Sequence, residues 1–278
     1  MHLRTVFLGN MLLLAAPGLA ATAEVESVGV TGRGDKRLEP LDRLMTDFVS
    51  RHQLPGASLA VTRNGRLVYA RGFGLADRQS GDPVLPTSRF RIASLSKPVT
   101  SVAILQLVDA GRLKLDDPVA EILGLEPEVD ARRSRRVTVR QCLQHTGGWD
   151  RSDSFDPMFQ SIRISRVLDT KAPAGPAEVI RFMQKWPLDF DPGTRYAYSN
   201  YGYCLLGRVI EKISGQSYER YVQARVLKPM GVTRMRIGRT RIEGRAKGEV
   251  RYHVDGAVSS THLRAHETRH ALVCRLLL

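Results

Sequence analysis

The chain has 278 residues, of which 42% are hydrophobic, and its formal net charge is +14. This length is enough for one large core, divided at most into two lobes. The three cysteines are too few, and odd in number, for a disulfide framework, and Cys204 is predicted to be a small core residue. Basic residues concentrate at positions 132–136 and 225–251. Such a surface could bind anionic cell-wall polymers, membrane headgroups or nucleic acid, although it is most often simply solvated.

The first 23 residues predict a signal peptide. Arg4 precedes an apolar stretch, and small residues end the segment at Ala23. We therefore expect cleavage after Ala23, which leaves 278 − 23 = 255 residues with a net charge of about +13. No later segment is long and apolar enough to span a bilayer. The pattern predicts a secreted or periplasmic protein with no transmembrane span, for which nucleic acid is not an expected partner.

A helix and a hairpin are predicted near the start of the mature chain. The helix covers residues 41–52, and strands at 57–62 and 66–71 are joined through Asn64-Gly65, a strong hairpin signal. Further helices are predicted from Ser94, at 137–144, at 178–186 and just beyond Asn200. Strands at the beginning followed by helices indicate an α+β fold.

The helix from Ser94 carries the most informative motif, Ser94-Leu95-Ser96-Lys97. Pro98 fits only in a first turn, and Gly111 is a plausible left-handed cap at the other end. Positions i and i+3 share a helical face, so the hydroxyl of Ser94 and the amine of Lys97 lie one turn apart. A desolvated lysine can activate a serine nucleophile. The alternative is a serine cap followed by a solvated lysine, because such a short motif also occurs by chance.

A second motif, Tyr198-Ser199-Asn200, follows about a hundred residues later in a Gly- and Tyr-rich stretch. Tyr198 can relay a proton if a nearby cation lowers its pKa from about 10. Alternatively, Tyr198 is a core aromatic with its hydroxyl bonded to the backbone. Asn200 can bind a substrate, cap the following helix, or do both.

These motifs, together with residues 143–148 and 227–232, resemble the serine β-lactamase and penicillin-binding-protein-like superfamily. The similarity is greatest to its class C β-lactamase, D-alanyl-D-alanine peptidase and esterase branch, and it extends from about Leu41 to about Ile237. The resemblance implies an α+β fold in which helices flank an antiparallel sheet beside a helical lobe. It also implies an ester, peptide or β-lactam substrate. We expect the protein to need no cofactor or metal.

The resemblance implies a role for each residue of the two motifs. Ser94 is the nucleophile that becomes acylated, and Lys97 accepts its proton. Tyr198 is a second proton-transfer group near the leaving group, and Asn200 hydrogen-bonds the substrate. Cleavage then proceeds through an acyl-enzyme on Ser94. Esterase or peptidase activity is favoured over β-lactamase activity by how common each is in the family.

The chain departs from the family pattern near its C-terminus. The family carries a Lys- or His-led triplet ending in glycine on a C-terminal strand, where it supplies a backbone N–H to the oxyanion hole. His145-Thr146-Gly147 matches the triplet by letters but lies between the first two motifs, where the family has a structural loop. We therefore expect the C-terminal strands and one oxyanion donor to be missing, and such a loss costs about a hundred- to a thousandfold in rate.

The predicted organisation is a signal peptide over residues 1–23, an incomplete hydrolase domain over 24–258 and a non-family tail over 259–278. The tail would come from a frameshift, a truncated reading frame or read-through. It contains His266-Glu267-Thr268-Arg269-His270, a zinc-peptidase pattern that lacks room for a third ligand downstream. A zinc peptidase is therefore a remote alternative. A penicillin-recognising binding module without turnover is a second one.

Overall fold

The computed structural model describes residues 27–239, 242–252 and 276–277. The segments predicted as the signal peptide and the zinc motif at His266, Glu267 and His270 lie outside these residues, as does the boundary predicted at residue 258. None of the described helices is long and apolar enough to cross a bilayer.

An antiparallel sheet and one long helix form the first lobe. The elements are β1 (Val30–Thr31), α1 (Glu39–Arg51), β2 (Gly56–Arg63), β3 (Arg66–Asp77) and β4 (Asp82–Pro83). The strand order is β1-β3-β2, and β4 also pairs with β3. Helix α1 packs on one face of the sheet, where Val49 contacts a small core with Tyr69 and Phe73. The predicted first helix and hairpin are confirmed.

The hairpin turn explains why these two strands pair in this register. Asn64 and Gly65 both have positive φ values, 51° and 72°, which two-residue hairpin turns with the right-handed twist require. Pairing runs from Arg63 opposite Arg66 to Gly56 opposite Gly74, with one irregularity after Val61.

A helical lobe contains most of the core. Its elements are α2 (Ser96–Asp109), α3 (Val119–Leu123), α4 (Ala131–Ser134), α5 (Val139–Leu143), α6 (Ser161–Val167), α7 (Pro176–Met183), α8 (Asn200–Ser214) and α9 (Tyr218–Tyr221). A π-helical turn, Val222–Leu227, follows α9. The helices predicted at residues 137–144 and 178–186 correspond to α5 and α7. Helix α5 begins later than predicted, because Thr138 is its N-cap and forms a capping box with Gln141.

Helices α2 and α8 pack against each other at the centre of this lobe. Ile104 and Leu107 on α2 and Leu206 and Ile210 on α8 are almost completely buried in one apolar cluster, which also contains the predicted core residue Cys204. Burying each such aliphatic side chain contributes about 1.5–3 kcal/mol. The relative position of the two helices is therefore strongly fixed, and both begin at the candidate site.

The chain after the helical lobe returns to the region that precedes α2. Strand β5 (Arg236–Ile237) pairs with β6 (Leu276–Leu277), so two residues of the predicted tail form a strand. Residues 242–252 pack against the approach to Ser94, where the buried carboxylate of Glu249 accepts a 2.9 Å hydrogen bond from Nε of Arg91. These contacts fix the backbone just before the first motif.

Candidate active site

Ser94 lies in a 3-10 turn, Ala93–Leu95, directly before α2. The α-helix therefore begins two residues later than predicted, while Gly111 has the expected left-handed φ of 67° beyond its end. Ala93 has a φ of 45°, a strained conformation for a residue with a side chain. Ser94 is exposed, whereas Ser96 is fully buried and donates a 2.7 Å hydrogen bond to the carbonyl of Ala93. Ser94 is thus the serine of this motif that can meet a substrate.

The two sequence motifs meet at the hydroxyl of Ser94. Its Oγ lies 2.6 Å from the hydroxyl of Tyr198 and 3.4 Å from Nζ of Lys97. Lys97 is only 4% exposed, and its Nζ lies 4.7 Å from the ring centroid of Tyr198 and 5.4 Å from that of Tyr203. The alternatives of a solvated lysine and of a core tyrosine bonded to the backbone are therefore both wrong.

Asn200 is the first residue of α8, and its amide lies in the interior. Its Oδ1 accepts a 2.7 Å hydrogen bond from Nζ of Lys97, and its Nδ2 donates one of 2.7 Å to Oδ2 of Asp156. The N-cap of α8 is Ser199, whose hydroxyl accepts from the N–H of Gly202, so a capping role for Asn200 is wrong. Its contact with a substrate stays a prediction.

The ring of His145 packs against Tyr198 and Tyr203. Its ring centroid lies 4.6 Å from that of Tyr198 and 5.1 Å from that of Tyr203. Its Nδ1 accepts a 3.1 Å hydrogen bond from the N–H of Ser199. Burial lowers the pKa of His145 to about 4, with a further contribution from the charge of Lys97. The ring is therefore neutral at pH 7, which keeps Nδ1 available as an acceptor.

The loop that carries His145 also fixes the segment leading to Tyr198. The carbonyl of His145 accepts from the N–H of Ala197, and that of Thr146 accepts from Gly193, each at 2.8 Å. His145 itself has a φ of 59°. These bonds bring the second motif against the first, although the motifs are about a hundred residues apart.

Two exposed apolar side chains and an arginine lie at or close to the two motifs. Leu95, within the first motif, is 70% exposed, and Tyr196, two residues before the second motif, is 64% exposed. The guanidinium of Arg151 lies 5.2 Å from the ring centroid of Tyr198. Exposed apolar side chains beside a nucleophile can contact the acyl or leaving group of a substrate.

Neither a metal ion nor a reactive thiol is indicated by the described residues. In that part of the chain, no three His, Cys, Asp or Glu side chains lie close enough together to hold a metal. Cys142 is fully buried, and burial raises the pKa of its thiol to about 12, which makes it unreactive.

Sequence reasoning missed three residues of this cluster. Asp156 and Tyr203 belong to no sequence motif, and the only signal at His145 is a triplet that matches the family pattern by letters alone. Asp156 stands before Pro157, which indicates no more than a turn. Its hydrogen bond to Asn200 joins residues 44 positions apart, and no local pattern predicts such a contact.

An antiparallel sheet beside a helical lobe, with a serine, a buried lysine and a tyrosine at the start of two helices, is the arrangement of the β-lactamase/transpeptidase-like fold. A family model described as Beta-lactamase matches residues 41–270. The chain belongs to the Beta-lactamase family, whose members are generally serine hydrolases, and the predicted superfamily and fold class are confirmed.

Individual relatives carry several activities in their names. The chain is 33% identical to the esterase EstB of Burkholderia gladioli over 69% of its own length and 49% of that relative. It is 33% identical to penicillin-binding protein 4 of Amycolatopsis lactamdurans over 70% of its own length and 46% of that relative. An octameric penicillin-binding protein homologue from Pyrococcus abyssi superposes with a TM-score of 0.62 at 30% identity, covering 77% of this chain and 47% of that one. The chain thus spans about half the length of these relatives.

Proposed function

We propose that this protein is a secreted or periplasmic serine hydrolase that cleaves an ester or amide through an acyl-enzyme on Ser94. The observation that carries the proposal is the position of the Ser94 hydroxyl, 2.6 Å from that of Tyr198 and 3.4 Å from Nζ of the buried Lys97. A serine in contact with two groups able to transfer protons is an activated nucleophile.

The contacts support a definite sequence of proton transfers. Oγ of Ser94 bonds to the substrate carbonyl carbon while its proton passes to Nζ of Lys97 in the unprotonated form. Tyr198 gives its proton to the leaving group as the bond to that group breaks, and it recovers one from the Lys97 ammonium. Water then attacks the acyl carbon, and its proton returns through the same groups to Ser94.

We favour esterase or peptidase activity over β-lactamase activity, following the balance within the family. Leu95, which follows Ser94 in the chain, and Tyr196, whose ring contacts His145, are both exposed and support substrates with an apolar group next to the scissile bond. The net charge of +14 supports anionic cell-wall polymers as partners, and the predicted signal peptide supports export. Export is tested by fractionation and by N-terminal sequencing, which should begin at Glu24.

The decisive experiment combines active-site labelling with turnover. A fluorophosphonate probe should label the folded protein at Ser94, and p-nitrophenyl esters or a D-alanyl-D-alanine peptide should be hydrolysed faster than nitrocefin. The Ser94→Ala variant should lose both labelling and turnover. A folded protein without labelling would overturn the proposal. Labelling by penicillin without turnover would support the binding-module alternative instead.

A further inference from the structure

A buried carboxylate lies behind the candidate catalytic residues. Asp156 is 7% exposed, and its Oδ2 accepts a 2.7 Å hydrogen bond from Nδ2 of Asn200. Its other oxygen, Oδ1, accepts from the N–H of Met158 at 3.0 Å. Both oxygens act as acceptors, which is the behaviour of an ionised carboxylate. Asp156 can therefore contact Asn200 only through the NH₂ side of its amide.

This requirement fixes the orientation of the Asn200 amide. With the NH₂ group on Asp156, Oδ1 of Asn200 must point the other way, toward Nζ of Lys97, which it accepts from at 2.7 Å. Rotating the amide by half a turn would place its oxygen against a carboxylate and its NH₂ against an amine. Both contacts would then be unfavourable in an interior where Asn200 is only 6% exposed.

The orientation of Asn200 in turn directs Lys97. The groups that contact Lys97 include Ser94, Tyr198 and Tyr203, and the charge of Lys97 contributes to the lowered pKa of His145. Asp156 supplies a negative charge one amide away. It therefore both aims Nζ at Ser94 and stabilises the ammonium that forms when Lys97 accepts the serine proton.

We propose that Asp156 is a positioning residue of this site, acting through Asn200 on Lys97. The proposal rests on the proposed serine hydrolase function. Asp156→Asn preserves shape but lets the new amide donate to Oδ1 of Asn200, so that Asn200 can rotate. The expected result is a fall of about ten- to a hundredfold in kcat for an ester substrate, with little change in KM.

The pH profile distinguishes positioning from a merely structural role. Without the negative charge, the ammonium form of Lys97 is less favoured, so the acidic limb of the kcat profile should move to lower pH, by roughly one unit. The matched control is Asp189→Asn in the same region, where Asp189 accepts from the N–H of Asp150 and the hydroxyl of Ser154. The Asp189→Asn variant should change thermal stability without shifting the acidic limb of the kcat profile.

A double variant tests the donor and acceptor directions of the hydrogen bonds that link Asp156, Asn200 and Lys97. Asn200→Asp alone places two carboxylates together and should be the least active form. Combined with Asp156→Asn, it restores a donor opposite an acceptor and leaves the N–H of Met158 satisfied. The pair should recover activity relative to either single variant, with an acidic limb at higher pH than in the wild type, because a carboxylate now touches Lys97 directly. Non-recovery with a folded double variant would overturn the proposal.

A readout without turnover separates this proposal from the proposed function. The side-chain amide protons of Asn200, followed by ¹⁵N NMR, should exchange slowly in the wild type. Their resonances should shift in Asp156→Asn and stay unchanged in Asp189→Asn. If Ser94 is never labelled but these shifts occur, the hydrolase proposal fails while the orientation of Asn200 by Asp156 stands. Unchanged Asn200 resonances in Asp156→Asn would overturn the positioning role, whatever the activity.

Discussion

Protonation of His145, whose ring contacts three tyrosines, should destabilise the fold. The folded protein binds this proton with a pKa of about 4, whereas the ordinary value in an unfolded chain is 6.5. Because the folded-state pKa is lowered, the stability that the neutral ring contributes is complete above about pH 6.5. It is lost as the pH falls through that value toward 4.

The size of this effect follows from the difference between the two values. A difference of about 2.5 corresponds to about 3 kcal/mol for a completely buried ring. His145 is half-buried, so solvent screening reduces the expected loss to about 1–2 kcal/mol between pH 7 and pH 4.5. In the folded protein, protonation of His145 removes the acceptor for the N–H of Ser199, so ester turnover should fall only as the pH drops through about 4.

The assay is denaturant unfolding of the wild type and of His145→Phe at both pH values. The variant keeps an aromatic ring beside Tyr198 but leaves the N–H of Ser199 without its acceptor, which should cost about 1–3 kcal/mol at pH 7. The difference in free energy of unfolding between the two proteins should be smaller at pH 4.5, because only the wild type loses the contribution of a neutral histidine. A difference that is equal at both pH values would refute the assignment of a low pKa to His145.

Three further results are expected in the same assays. Ser94→Ala should abolish fluorophosphonate labelling, while Ser96→Ala should keep it and mainly lower the melting temperature; labelling that is lost only in Ser96→Ala would contradict the choice of nucleophile. Lys97→Ala should reduce the acylation rate by about a hundred- to ten-thousandfold, and stopped-flow measurement would contradict its role as base if the rate were unchanged. Zinc or a chelator should leave turnover unaffected, whereas zinc-dependent turnover lost in His266→Ala would place the chemistry in the C-terminal segment.

The features of the fold that the sequence predicted best are those determined by residues close together in the chain. Asn64-Gly65 specified the hairpin because its backbone conformation is available to few other pairs, and the spacing of Ser94 and Lys97 specified a shared helical face. The shift of the helix start to Ser96 depends on the strained φ of Ala93, which the sequence does not indicate.

The candidate site was predictable only in its motif residues. Ser94, Lys97, Tyr198 and Asn200 are brought together as the resemblance implied. The contact between Asp156 and Asn200 depends on how the loop before α6 packs against the start of α8, which is a tertiary arrangement. A single sequence contains no periodic or spacing signal for such a contact.

Both the geometry of the candidate site and the stability of the protein depend on the packing of α2 against α8. Ser94 and Lys97 move with α2, while Tyr198 and Asn200 precede or begin α8. A shift between the helices therefore changes the distances from Ser94 to Tyr198 and from Lys97 to Asn200. Replacing Ile104 or Leu206 by a smaller residue should therefore slow acylation even under conditions in which the variant remains folded. Substitutions that change substrate preference are therefore expected at exposed positions outside the interface between α2 and α8. Leu95 and Tyr196 are such positions, because replacing them leaves this interface intact.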